Sequence, residues 1–240
     1  MLSRRRNVQR RRAHGLSIVE LMVGVAIGLF VVAGASMLVA SQLGDNRRLL
    51  LETQVQQDLR ATADIVTREL RRAGHWTRSR DGVWYADTAA LRTNPYGVVS
   101  SSDDGSEMAD GTQASTVLLA YSNTSDELAE DQTVAANERR GFRLSGDTIQ
   151  TQLGAGNWQA LTDANTLRVT GFDVRMNKRP VPLACPKPCP GGGEACWPVL
   201  EVRELQVEIR GEATHDPAVQ RSVRSSVRLR NDPVVGNCPA

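Results

Sequence analysis

The chain changes its hydrophobic period twice. From Leu21 to Ala40 no position carries a charge and most are apolar. A run of that length meets the ~20 residues a helix needs to cross a bilayer core. After Gly44-Asp45-Asn46 the pattern becomes amphipathic: Leu51, Val55, Leu59, Thr62, Val66, Leu70 and Ala73 recur at the helical period. No proline occurs before Pro95, so nothing interrupts a single helix from Leu16 to about Ala73, where Ala73-Gly74 supplies the stop. At ~1.5 Å per residue that helix would be about 85 Å long. Asp64 and Arg68 stand four apart in the order that favours an ion pair on its exposed face.

Beyond the helix the period shortens to two. Thr116–Ser122 is a short apolar run, and Phe142–Leu144 and Thr148–Thr151 flank the turn Ser145-Gly146-Asp147. Leu167–Met176, Val202–Arg210 and Val219–Arg230 alternate, the last two joined by a hairpin-like "GEATHDPA". One long helix followed by antiparallel strands predicts an α+β fold, with the helix packed on a β-sheet head.

Charge changes this picture at the N-terminus. Six arginines (Arg4, Arg5, Arg6, Arg10, Arg11, Arg12) and no acid precede Gly15; without them, the 29 Lys+Arg no longer outnumber the 27 Asp+Glu. Basic character therefore belongs to residues 1–15, and the rest of the chain has no long-range attraction for nucleic acid. Arginines on this side place it in the cytoplasm and everything after about Gly44 across the membrane. A secretory signal has a shorter apolar centre, and Ala33-Gly34-Ala35 would be its cut site. Ser3-Arg4-Arg5 lacks the apolar residues expected after a twin-arginine pair. A plain membrane anchor leaves the one carboxylate near the start of the run, Glu20, without a purpose beyond reaching the interface.

Gly15-Leu16-Ser17-Ile18-Val19-Glu20 resembles the cleavage and methylation motif of type IV prepilins, with Leu16 where phenylalanine is usual. The resemblance implies cutting between Gly15 and Leu16 by a prepilin peptidase, N-methylation of Leu16, and a registering role for Glu20. Glu20 lies four residues beyond the new amine, one turn and ~6 Å along the axis. It would meet its own chain's amine or a neighbour's; what is known of pilins favours the neighbour, each group neutralising the other in an apolar core.

"LRATADIVTRELRRAGHW" and "SVRSSVRLRND" resemble the helix end and final strand of the PilW type of minor pilin. That resemblance implies a leader over 1–15, a transmembrane and assembly helix over 16–44, its amphipathic half over 45–74, and a periplasmic β-rich head over 75–240. It implies a subunit that starts or caps a type IV pilus serving adhesion and twitching motility. It would sit in the inner membrane until assembly and then in the extracellular filament, at its tip. Partners would be other minor and major pilins, the inner-membrane assembly platform and a tip adhesin. The alternative is a J-type pseudopilin of a type II secretion system; a DNA-uptake receptor pilin and a membrane-anchored periplasmic enzyme stand further off.

Little else in the sequence suggests chemistry. Cys185 and Cys189 fit one C-x(2–4)-C knuckle of a zinc site, but Cys196 and Cys238 stand 42 residues apart and make no second one, and all four lie in the compartment where disulfides persist. If Val199–Arg210 and Val219–Arg230 pair about a turn near His215, Leu200 lies opposite about Arg230. That register predicts Cys196–Cys238 with Cys185–Cys189. The segment "SSDDGSEMADGT" offers Asp103, Asp104, Glu107 and Asp110 without the spacing of a calcium loop and reads as a solvated acidic loop. The three histidines, His14, His75 and His215, meet no hydrolase or metalloprotease motif, and His75 beside Trp76 reads as packing or capping at the helix end. The sequence calls for no cofactor, metal or catalytic residue.

Overall fold

A computed structural model describes residues 17–82, 92–126, 130 and 133–239. Helix α1 runs Ile18–Arg72. The chain divides into two compact units between Leu49 and Leu50, within this helix.

In the N-terminal unit, the described helix has no buried position: Leu21, Val25, Leu29, Phe30 and Val32 are all exposed. It contains a window of mean hydropathy 2.4, long and apolar enough to cross a membrane.

In the second unit, α1 lays one stripe against the head. Val55, Leu59, Thr62, Val66, Leu70 and Ala73 are buried and Leu51 packs at the margin, as the helical spacing predicts. Asp64 and Arg68 form no ion pair; Glu69 and Arg72 do, at 3.4 Å. The helix ends because Gly74 turns left-handed at φ +74°, a conformation glycine adopts without a Cβ penalty.

Among the described residues the head has nine strands: β1 Gln113–Ala114, β2 Thr116–Ala120, β3 Arg139–Ser145, β4 Thr148–Leu153, β5 Trp158–Ala160, β6 Leu167–Pro182, β7 Val199–Ala213, β8 Asp216–Arg228 and β9 Val234–Val235. They form two antiparallel sheets. The first has the order β1-β6-β7-β8 with β9 also on β7, and the second β2-β3-β4-β5. Sequence alternation fixes each strand's inner face but not which strands share a sheet.

The core is continuous from the helix through both sheets: Val55, Leu59 and Val66 cluster with Leu205, Val207 and Ile209 of β7 and with Val117 and Phe142 of β2 and β3. Inward positions on β6 switch from odd (Leu167, Val169) to even (Phe172, Val174, Met176) because a bulge lies between Val169 and Gly171. A Cβ on Gly211 of β7 would meet Leu167 Cδ1 at 2.7 Å and Leu59 Cδ2 at 3.4 Å. The bare glycine lets helix and strand approach.

Candidate functional site

Glu20 occupies the first turn of α1, and the Leu21 amide already bonds the Ser17 carbonyl at 3.1 Å. A carboxylate there complements the partial positive charge of a helix N-terminus. Glu20 is exposed, the one acid in the first turn of an apolar surface with nothing packed on it among the described residues. Gly15 and Leu16, the expected cleavage and methylation residues, lie outside the described residues.

Within the second unit, the two sequence pieces that flank the head come together. Gly74 donates its amide to Ala120 of β2 at 3.0 Å. Its carbonyl accepts from the side-chain amides of Asn231 at 2.7 Å and Asn94 at 2.8 Å. Asn231 is the one described non-glycine residue with positive φ, +55°, a region asparagine tolerates better than most. The helix end, the loop near Tyr96 and the tail after β8 therefore share one carbonyl. His75 is exposed and contributes its backbone, accepting from Ser122 at 2.9 Å; the buried ring at the helix end is Trp76.

Arg203 lies behind this junction, only 1% exposed. Its Nη1 donates to the Gly97 carbonyl at 2.5 Å and Glu107 at 3.1 Å, and its backbone amide to Asp232 at 3.2 Å. Lys178 on β6 bridges Glu107 and Glu201 at 3.2 and 3.1 Å. These charges hold the 97–110 loop on the first sheet. A signal for Arg203 was present: it falls on the inward parity of Leu205, Val207 and Ile209.

Three of the four acids of the loop, Asp104, Glu107 and Asp110, are engaged. Asp104 accepts from both Ser102 and Ser106, which holds its carboxyl down to about 2, and Asp110 accepts the Lys178 amide at 2.7 Å. Glu107 faces Arg203 and Lys178. The four acids do not converge on one point among the described residues.

A second buried polar group had no sequence signal, because its members lie far apart. The Tyr96 hydroxyl sits 2.7 Å from Glu130 and 3.0 Å from Glu138. Burial, then the two carboxylates, pushes the Tyr96 hydroxyl far up. Burial alone would raise Glu130, but hydrogen bonding by Ser122, Tyr96 and Thr77 holds it below the usual carboxylate range. Glu138 also takes the backbone amides of Asn123 and Ala135, pinning the segment before β3.

All four cysteines are paired, but not as the hairpin register predicts: the bonds are Cys185–Cys238 and Cys189–Cys196, with Cα separations of 5.6 and 5.7 Å. Leu200 pairs with Val234 of β9 rather than lying opposite Arg230. An irregularity beside the β7–β8 turn and the bend before β9 shift the register. Strand β7 begins at Val199, flanked by Pro182 of β6 and Val235 of β9. Past that point no central strand separates the two neighbours, and Cys185 and Cys238 close the gap. Cys196 instead follows the glycine-rich turn back to Cys189, whose amide bonds Gly193 and whose carbonyl accepts from Gly192.

A long N-terminal helix, apolar and exposed in its first half, carrying one acid in its first turn and joined to an antiparallel head, defines a pilin-like protein. Residues 10–36 match the prokaryotic N-terminal methylation motif. Residues 48–229, most of the chain, match the prepilin peptidase-dependent protein B family, and the chain belongs to that family. No curated protein and no solved structure matches it.

Proposed function

We propose that this chain is a minor pilin of a type IV pilus, cut after Gly15, N-methylated on Leu16 and drawn into the filament through its helix. The observation that carries this reading is Glu20 alone in the first turn of an exposed apolar helix, inside the matched methylation motif. Before cutting, the helix anchors the chain in the inner membrane with the head in the periplasm. After cutting, the free amine of Leu16 meets Glu20 of a neighbouring subunit, and two charges costly to bury alone enter the apolar filament core as a pair. The likeness of the 72–74 and 229–231 pieces to the PilW type supports a role in starting or capping the filament at its tip. Partners on this reading are other pilins, the peptidase, the assembly platform and an adhesin.

Mass spectrometry of the protein from purified pili tests it. The expected N-terminus is methylated Leu16; a chain beginning near Ser36, or one retaining Met1, refutes it. Gly15→Ala is expected to block cutting. Glu20→Ala is expected to insert and be cut yet fail to assemble, because losing a charge eases insertion but leaves the amine unpartnered. Normal incorporation of Glu20→Ala removes the registering role. Absence from pili, together with loss of type II secretion on deletion, would favour the J-type pseudopilin instead.

A further inference from the structure

The second sheet carries an unbalanced charge. Strands β2, β3, β4 and β5 hold three arginines (Arg139, Arg140 and Arg143) and no acid. Most arginines of the first sheet are matched: Arg168 with Glu212, Arg210 with Asp173, Arg224 with Glu208 and Arg228 with Asp232. Among the described residues, Arg139 and Arg143 have no carboxylate within ion-pair distance.

Register places Arg139, Gly141 and Arg143 on the face of β3 opposite the buried Phe142. Arg143 is held in a fixed orientation. Its guanidinium stacks on the Trp158 ring, 4.2 Å from the centroid, and its Nε donates to Gln150 Oε1 at 2.9 Å. Trp158 is seated because position 141 has no side chain: a Cβ there would meet Leu118 Cδ2 at 2.7 Å and the Trp158 ring at 3.2 Å. The stack and the Gln150 bond fix the plane of the guanidinium and, among the described residues, leave its terminal nitrogens without a partner. A guanidinium fixed in this way suits a carboxylate, which accepts two parallel bonds from it.

We infer that this face of the second sheet, centred on Arg143 and Arg139, docks the acidic surface of a neighbouring subunit's head in the assembled filament. The inference rests on the pilin reading above, under which helices polymerise and heads are brought side by side. Charge complementarity selects the partner: two unneutralised arginines on an acid-free sheet seek carboxylates. A single-stranded nucleic acid would need a free aromatic face for its bases. Trp158 has one face covered by the Arg143 guanidinium and an edge of its ring set beside Gly141. The contact is electrostatic and partly exposed, so it weakens with salt.

The test uses the full-length chain in cells that assemble the filament, with a photo-crosslinking benzoylphenylalanine at Ser145 or Ala160, which share the face of Arg143. The expected product joins this site to another pilin-like subunit through a peptide containing Asp or Glu. Arg139→Glu with Arg143→Glu is expected to lose that product while leader cutting and both disulfides persist, which shows that the head still folds. Reversing the acids of the joined peptide to lysine is expected to restore it. If the wild-type chain is cut and incorporated but the product survives charge reversal, or the site joins only to polysaccharide or nucleic acid, the docking inference falls alone. If the wild-type chain is never cut, the pilin reading falls and takes this inference with it.

Discussion

The side-chain amide of Asn231 donates to the Gly74 carbonyl at 2.7 Å, across 157 residues of sequence. Gly74 ends the helix that would carry the subunit into a filament, and Asn231 begins the tail that runs to Cys238. Their bond fastens the segment between β8 and β9 to the end of the helix.

Asn231→Ala removes that donor and the left-handed turn together. We expect a loss of about 1–3 kcal/mol, the cost of leaving a part-buried carbonyl short of a partner. Gly74→Ala forces a Cβ into φ +74° and to 3.3 Å from the Arg230 carbonyl, and is expected to destabilise by about 1–2 kcal/mol or more. Urea unfolding of both variants checks this, with equal midpoints to wild type as the outcome that would refute it.

Non-reducing peptide mapping is expected to recover Cys185 joined to Cys238 and Cys189 joined to Cys196. Replacing the first pair by serine opens a link spanning 53 residues and should cost about 4 kcal/mol in the chain-entropy model. The second spans 7 and should cost nearer ~2.5 kcal/mol. A peptide joining Cys196 to Cys238 would contradict the structure.

Gly211→Ala tests the approach of helix to sheet. Its Cβ would overlap Leu167, held within the core, and overpacking of this kind costs about 1–3 kcal/mol. Thermal unfolding reads the loss; an unchanged midpoint would mean that Leu167 moves aside freely.

Tyrosine ionisation gives a signature at high pH. Burial first, then the facing carboxylates, raises Tyr96 and Tyr121 above the ordinary tyrosine value. A raised folded value contributes stability that is present below the unfolded pKa near ~10 and is lost as pH climbs towards the folded one. Absorbance titration is therefore expected to show delayed ionisation in the folded chain, with base unfolding and late ionisation arriving together. Tyr96→Phe should diminish the delayed signal. Ordinary titration of all tyrosines in the folded chain would contradict the buried cluster.

What the sequence determined by itself was local and periodic. The stripe Val55, Leu59, Thr62, Val66, Leu70 could be read because a helix repeats its inward face every three or four residues, and all five are buried. The apolar run with Glu20 was legible for the same reason: a membrane-length stretch and its one acid are neighbours in sequence. The longer strands were visible through their period of two.

Only the tertiary structure decided which strands share a sheet, where the register slips, and which cysteines meet. Alternation is nearly the same for any partner strand, whereas a slip in register moved Leu200 from Arg230 to Val234 and helped reassign both disulfides. Arg203 with Glu107, Tyr96 with Glu130 and Glu138, and Arg143 on Trp158 were likewise settled in three dimensions. Each depends on side-chain atoms meeting within a few ångströms, and the spacing of residues along the chain does not encode that distance.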